Sequence, residues 1–545
     1  MDMSFSMLVL ETKNHEIFCQ KAMILLGRLC YMNGGLFLKI ADSIWKVISI
    51  GFILFLIPFL LWDGGILSLL SGAGGKDKFL PVLWIYIFIC ILYFFICKYF
   101  VSKRKTTFGI ATSIFVMAAI PRLFLMSKQI YIPTKDFSRY LNFGIDMYNG
   151  NYAAVADQIA VHSMPGMGGL AIWNGMIAKL FSPTLIGFQF ANVVMVSLIA
   201  VVLFLLIKPY HKNIALIAAM LFALYPSSIV STQITTNPHG AILLFLLAIL
   251  CYQKAIMQPE IVKCIGCICI TGLLLTISNF LHQSVIVVIL SLLCFCFLYV
   301  LSKEKKEQKI KTVSVTILII ILFKVFSSVG VMGFYNMGII HDTRELPFIS
   351  KIVVGLNEKT TGGYSMEDNL LIASFSEEER ETECWKLIKE RIVNAENLPR
   401  LFFDKTHIAW FTPDSYITYW FIDGHIMEYN DAVANGTITE EKSSAFWELG
   451  SWTNGIAYVD MLVVHLYYWL AAIGLWCNRK KFQLNSFGIL TFIALGWICV
   501  ILLGEMQPRY RYPAMPTFVA LASVGIYQIY SYLMSAKAKI MEKLM

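Results

Sequence analysis

The sequence predicts an all-α polytopic membrane protein of about 12 transmembrane helices, with one α-containing domain outside the bilayer. Three observations lead there. Of the 545 residues, 58% are hydrophobic and only 14% are charged, against roughly 45–50% and 25% in soluble domains. So few charges cannot cover a soluble core of this size, which excludes a cytosolic enzyme, a disordered chain and a basic nucleic-acid-binding protein. Apolar runs about 20 residues long, the length a bilayer requires, recur along the chain. Finally, the net charge of +9 conceals a division: the segment Tyr335 to Ile456 holds 20 acids and 10 bases, while the remainder holds 15 acids and 34 bases. An acidic, water-exposed segment therefore sits among basic connections.

The expected spans are 44–62, 80–98, 108–127, 184–207, 213–231, 239–256, 262–280, 282–301, 312–334, 457–477, 485–503 and 513–534. Basic clusters fall at the N-terminal Lys13, Lys21, Arg28 and Lys39, and at Lys98 to Lys105, Lys208 to Lys212 and Lys254 to Lys263. Others lie at Lys303 to Lys311, Arg479 to Lys481, and in the tail with Lys537, Lys539 and Lys543. By the positive-inside rule these face the cytoplasm. The alternation closes only if 165–182 (PGMGGLAIWNGMIAKLFS) does not cross, so this Pro-started, Gly-rich run is read as a helix on the outer surface. Both termini are then cytoplasmic, in a multi-pass protein of the plasma membrane. The first 40 residues mix charges with short apolar stretches, so no cleavable signal is expected.

This topology divides the chain into four regions: 1–107, with two helices; 108–334, a transmembrane core including outer loop 128–183; 335–456, the acidic outer domain; and 457–545, with outer loop 504–512. Within the acidic domain, Ser376 followed by Glu377, Glu378 and Glu379 has capping-box spacing. Trp385, Ile388 and Ile392 then recur at helical spacing. Most of the 13 cysteines lie in apolar runs, and Cys384 alone lies in the acidic domain. Cys264, Cys267 and Cys269 lack a nearby His or second cluster, so they read as small buried hydrophobes.

Polar groups near membrane depth are costly and mark candidate functional positions. Asp136 follows a span and Pro133, with Tyr140 and Tyr152 nearby, and a carboxylate at such an interface can act as general base toward an alcohol. A solvated loop Asp is the plainer reading of an isolated acid, and Asp146 and Asp157 share the loop. In Glu505-Met506-Gln507-Pro508-Arg509-Tyr510-Arg511-Tyr512, two arginines interleaved with tyrosines suit a phosphate at the headgroup level. An interfacial anchor is the alternative. Lys324, about 18 Å along its helix, either lines a polar cavity or snorkels outward. His282 sits with Asn279 and Gln283 in a tight outer turn. His239 in TTNPHG has weaker support.

The loop PTKDFSRYLNFGIDMYNGNY, the surface helix after it, the run VGLNEKTTGGYSMEDN ending at Asn369, and EMQPRYRYPAMP at 505–516 together carry a resemblance. In this order, from about Ile110 onward, they resemble the GT-C class of integral-membrane glycosyltransferases. Within it, they resemble bacterial relatives of the protein O-mannosyltransferases and of the lipid A aminoarabinose transferase. The resemblance implies transfer of a sugar from a polyprenyl-phosphate donor, on the outer face, with inversion. Asp136 is the implied base; Arg509 and Arg511 are implied to hold the lipid phosphate, assisted by His282 and Lys324. Glu505, Tyr140 and Tyr510 take supporting places.

Two departures stand out: Phe137 replaces the Glu that follows the Asp in protein O-mannosyltransferases, and Ser163-Met164-Pro165-Gly166 replaces their His-Pro-Pro run. Both favour an envelope polymer or glycolipid over a protein as acceptor. No cofactor or nucleic-acid partner is implied, and metal use stays open. A transporter or flippase and an envelope polysaccharide polymerase or ligase are the competing classes; no matching halves of the transporter kind appear.

Overall fold

The computed structural model describes residues 34–62, 76–101, 103–160, 166–283, 285–302, 304–341, 349–480 and 485–544. Lys13, Lys21, Arg28, Ser163, Met164, Pro165, Lys303 and Lys481 lie outside the described residues. The described chain is helical throughout, with no strand among the described residues.

Helices α1 (Gly34–Trp62), α2 (Lys76–Ile96) and α3 (Thr107–Met126) coincide with the first three expected spans. Then come α4 (Lys135–Asn149), α5 (Tyr152–Ala160) and α6 (Met167–Leu180). The core continues with α7 (Leu185–Ile207), α8 (Lys212–Ala223), α9 (Pro226–Val230), α10 (Pro238–Met257), α11 (Ile261–Leu281), α12 (Val285–Leu301) and α13 (Lys306–Asn336). The acidic segment holds α14 (Ile349–Gly355), α15 (Met366–Ser374), α16 (Glu377–Val393), α17 (Leu398–Phe411) and α18 (Ser415–Ala434). The chain ends with α19 (Glu440–Asn478), α20 (Ser486–Leu503) and α21 (Met515–Leu544). Nine helices among the described residues are long and apolar enough to cross a membrane. A tenth span forms if α8 and the bent segment Pro226–Gln233 count together, their axes meeting at 62°. The bend falls at Pro226, whose ring cannot continue the helix and starts a new one. The two remaining expected spans coincide with α1 and with the 17-residue α12.

From Met167 the run expected to lie on the surface forms helix α6, which is not among the helices long enough to span. Helix α6 has 14 residues, about 21 Å at 1.5 Å per residue. It packs on α4, where Asn174 Nδ2 donates to Tyr140 O at 2.8 Å. Its glycines serve close approach: a Cβ on Gly169 would stand 2.4 Å from the Phe280 side chain on α11.

The acidic segment is not one separate domain. Val353, Ile372, Cys384 and Ile388 form a small core of their own. Trp410, Phe411, Tyr416 and Trp420 instead join the main core of the spans. Helix α19 runs unbroken for 39 residues, so it passes straight through the expected boundary at 456/457. Thr439 caps its start by accepting from Lys442 N, and nothing between there and the span interrupts the hydrogen-bond ladder. Helix α16 begins where expected, but the Ser376 hydroxyl donates to the Glu379 carboxylate at 2.8 Å instead of capping a backbone N–H. Its buried face is Cys384 and Ile388, while Trp385 and Ile392 are exposed. Cys264 is buried in α11, and Cys267 and Cys269 are half-buried there without a metal cluster among the described residues.

Candidate active site

The functional candidates meet because several span ends and the acidic segment line one cavity of about 1280 Å³. Asp136, Tyr140, His282, Lys324, Glu505, Arg509 and Tyr510 all line it. Arg511 does not.

Asp136 stands in the first turn of α4, where the positive end of the helix dipole favours a carboxylate. The residue before it, Lys135, has φ 48°, a left-handed conformation that few non-glycine residues adopt. The helix is held by the next residue, Phe137, which is 3% exposed and packs on Tyr419 with ring centroids 5.5 Å apart. Thus the Phe that distinguishes this loop anchors the acid. The carboxylate faces two guanidiniums, Arg509 Nη2 at 3.5 Å from Oδ2 and Arg139 Nη1 at 3.5 Å from Oδ1. It stays accessible, with 41% of the side chain exposed.

Arg509 and Arg511 share the 3-10 turn Pro508–Ala514. Arg509 lies over the rings of Phe137, Tyr419 and Tyr510 at 5.4, 5.6 and 5.7 Å, a cation–π box that leaves its edge toward Asp136. Arg511 turns the other way and is fully buried. Its Nη1 donates to Thr412 O at 2.6 Å, and its guanidinium stands 3.6 Å from Asp460 and 3.9 Å from Asp414. The expectation that Arg511 holds a lipid phosphate meets a physical obstacle, since its charge is already enclosed between two carboxylates. Burial pushes the Asp414 carboxyl up to about 7, against the pull of Arg511.

Glu505 accepts from Lys351 Nζ at 2.8 Å and from Tyr510 OH at 3.2 Å, so it steadies Tyr510 and the outer segment, with no ion pair to either arginine among the described residues. Beneath it, Lys405 is wholly buried and donates to Gly355 O and Gly504 O at 2.7 and 2.8 Å. Burial without a carboxylate lowers the Lys405 ammonium to about 7. Gly355 permits this clamp, because a Cβ there would lie 2.3 Å from the Gly504 carbonyl carbon.

His282 ends α11 and its ring centroid lies 6.3 Å from that of Trp497. Burial and the nearby Arg509 charge push it down to about 4, so it meets the cavity as a neutral imidazole. Lys324 lines the cavity and makes no ion pair or hydrogen bond with the described residues. Tyr140, buried beside Asp136, is raised to about 12 and remains a phenol. His239 is sealed away, its Nε2 on Ser231 O at 3.0 Å.

Arg139, Lys351 and Lys405 escaped the sequence reading. Arg139 was detectable as the i+3 neighbour of Asp136 on a helix start. Lys405 was detectable as a charge in the apolar run LFFDKTHIAWF. Lys351 carries no local signal, since only the fold brings it to Glu505.

Fold and site define a multi-pass α-helical membrane protein whose span ends and acidic segment line a cavity with Lys135, Arg139, Lys324, Lys351 and Arg509 set against Asp136 and Glu505. Residues 169–529 match the family described as conserved hypothetical integral membrane protein, and the chain belongs to that family. No curated protein sequence matches it. Among solved structures, it is similar to an archaeal oligosaccharyltransferase, AglB from Archaeoglobus fulgidus in complex with an inhibitory peptide and a dolichol-phosphate. That similarity has TM-score 0.41 and 14% identity over 80% of this chain and 52% of that one. A second is the apo form of the Archaeoglobus fulgidus oligosaccharyltransferase, with TM-score 0.44 and 13% identity over 78% of this chain and 51% of that one. The chain spans about half the length of these solved structures.

Proposed function

We propose that this protein is a GT-C-type membrane glycosyltransferase. It takes a sugar from a polyprenyl-phosphate donor and transfers it, with inversion, to an extracytoplasmic acceptor, an envelope polymer or glycolipid in preference to a protein. The observation that carries the reading is the approach of Asp136 and Arg509, 373 residues apart in the chain by their numbers, to 3.5 Å at an open cavity. The motif likeness of the two loops points to one active site on one face, with Asp136 as base and Arg509 and Arg511 at the phosphate.

In this reading Asp136 accepts the proton of the acceptor hydroxyl as its oxygen attacks the anomeric carbon. The bond from that carbon to the phosphate oxygen breaks, and the lipid phosphate leaves with the electron pair. Arg509, aimed by its three aromatic rings, stabilises the charge that develops on the leaving phosphate. Lys324 adds a second cation, and His282 a neutral hydrogen bond. Tyr140 and Tyr510 wall the site, and Glu505 holds Tyr510. Arg511 supports the turn from behind. The active site faces the extracytoplasmic side and both termini the cytoplasm, as the distribution of basic loops suggests.

Comparing envelope glycans from cells with the wild-type protein and with Asp136→Asn tests the reading. A sugar branch missing in the variant, with membrane insertion unchanged, supports it. An identical glycan profile overturns it.

A further inference from the structure

We propose that the loop Asn357–Tyr364 is a binding ledge for a neutral, hydroxyl-rich glycan. The loop belongs to the motif VGLNEKTTGGYSMEDN, to which the chemistry above gives no task, yet Thr360, Thr361, Gly363 and Tyr364 line the same cavity as Asp136. Its backbone is strained in a particular way. Thr361 has φ 52° and ψ 36°, and Gly362 follows at φ 69°. A β-branched residue in the left-handed region is rare and persists only where its surroundings hold it there.

Those surroundings are a buried brace. Asp368, only 3% exposed, accepts from Arg391 at 2.6 and 3.1 Å and from Asn357 Nδ2 at 2.8 Å. Gly362 N donates to Asn357 O at 2.8 Å, closing the loop. Met506 N donates to Gly362 O at 2.8 Å, which fixes the ledge against the strand of chain that carries Arg509. A two-armed ion pair in a thinly packed outer segment is a large investment for a loop of no consequence.

The surface so held has a definite chemistry. The Thr361 hydroxyl makes no hydrogen bond with the described residues, and the Tyr364 side chain is largely exposed. The adjacent cation, Lys351, is paired with Glu505 at 2.8 Å, and Lys359 of the loop is exposed but does not line the cavity, so the part of the ledge that faces the cavity offers an anion no unpaired cation. The charge that suits a phosphate lies with Arg509 and Lys324. A free hydroxyl beside an aromatic face suits a sugar ring, whose C–H face packs on the ring while its hydroxyls take the hydrogen bonds. That this glycan is the acceptor rests on the transferase reading; that the ledge binds a glycan does not.

Saturation-transfer NMR on the full chain in nanodiscs tests the ledge, with methyl glycosides of glucose, galactose, mannose and N-acetylglucosamine as probes. Wild type should show transfer to at least one probe. Thr361→Gly and Tyr364→Ala should each weaken it about three- to ten-fold, the loss of one neutral contact. Thr361→Gly also relaxes the left-handed backbone, so its Tm should hold or rise, an outcome that a purely structural role excludes. Absence of signal from wild type, or undiminished signal in both variants, overturns the ledge. A ledge-dependent signal in a protein that transfers no sugar would overturn the transferase reading alone.

Discussion

Two arginines, two residues apart on one 3-10 turn, meet opposite fates. Arg509 is boxed by three rings and keeps an edge open to Asp136 and the cavity; Arg511 is sealed between Asp414 and Asp460 with its surface gone. Both clusters unite an arginine with carboxylates, yet only one can exchange its partner for a ligand. In the open cluster both Asp136 and Arg509 line the cavity, so a ligand or water can replace either side. In the closed cluster all three side chains are fully buried, so removing one charge strands the other. The difference separates residues that act on substrate from residues that hold the turn on which they sit.

Substitutions can break or sharpen that contrast. The largest expected effect is on transfer: Asp136→Asn should lower the rate about 10²- to 10⁴-fold, the usual contribution of a general base. Its Tm should stay close to wild type, and a sugar-transfer assay beside a melting curve reads both. Arg511→Ala should do the reverse, costing about 3–5 kcal/mol of stability because two buried carboxylates lose their cation. Thermal melting in detergent checks it, and an unchanged Tm would mean that the sealed cluster is not structural.

Arg509→Ala should fold normally and bind the lipid-phosphate donor about ten- to a hundred-fold more weakly, as the loss of a charge-assisted hydrogen bond implies. A change confined to acceptor affinity would count against the phosphate role. The smallest effect concerns Lys405. Its folded-state value of about 7 lies below the ordinary 10.5, so between those values the unfolded chain binds more protons and stability rises with pH. Tm measured from pH 7 to 10 should climb in wild type more than in Lys405→Met, and parallel slopes would refute the assignment.

Spans α3, α7, α10, α11, α13 and α20 were legible to within a few residues because continuous apolar runs admit little else in a bilayer. The helix α6 within 165–182 was set apart from the spans by loop charges, and its 14 residues are too few for a straight crossing. Legibility failed where one helix serves two solvents: α19 begins in the acidic segment and ends as a span, and composition changes along it although the backbone does not. It failed in part on α16, where periodicity picked out Trp385, Ile388 and Ile392 and the structure buries Ile388 together with Cys384, leaving Trp385 and Ile392 exposed. A short amphipathic helix offers two adjacent stripes, and the partner surface chooses between them.

Apolar runs and the placement of charges determine by themselves that this chain is a multi-pass membrane protein with one acidic segment between its spans. They also imply that the loops of Asp136 and Arg509 share a face, since each crossing reverses the side. Tertiary structure alone decided which arginine meets Asp136. On a 3-10 turn each residue advances roughly 120°, so positions two apart point in different directions. On this turn the two arginines of PRYRYP part, and the neighbouring helices, with Asp414 and Asp460 behind and Phe137 and Tyr419 in front, settled which way each faces.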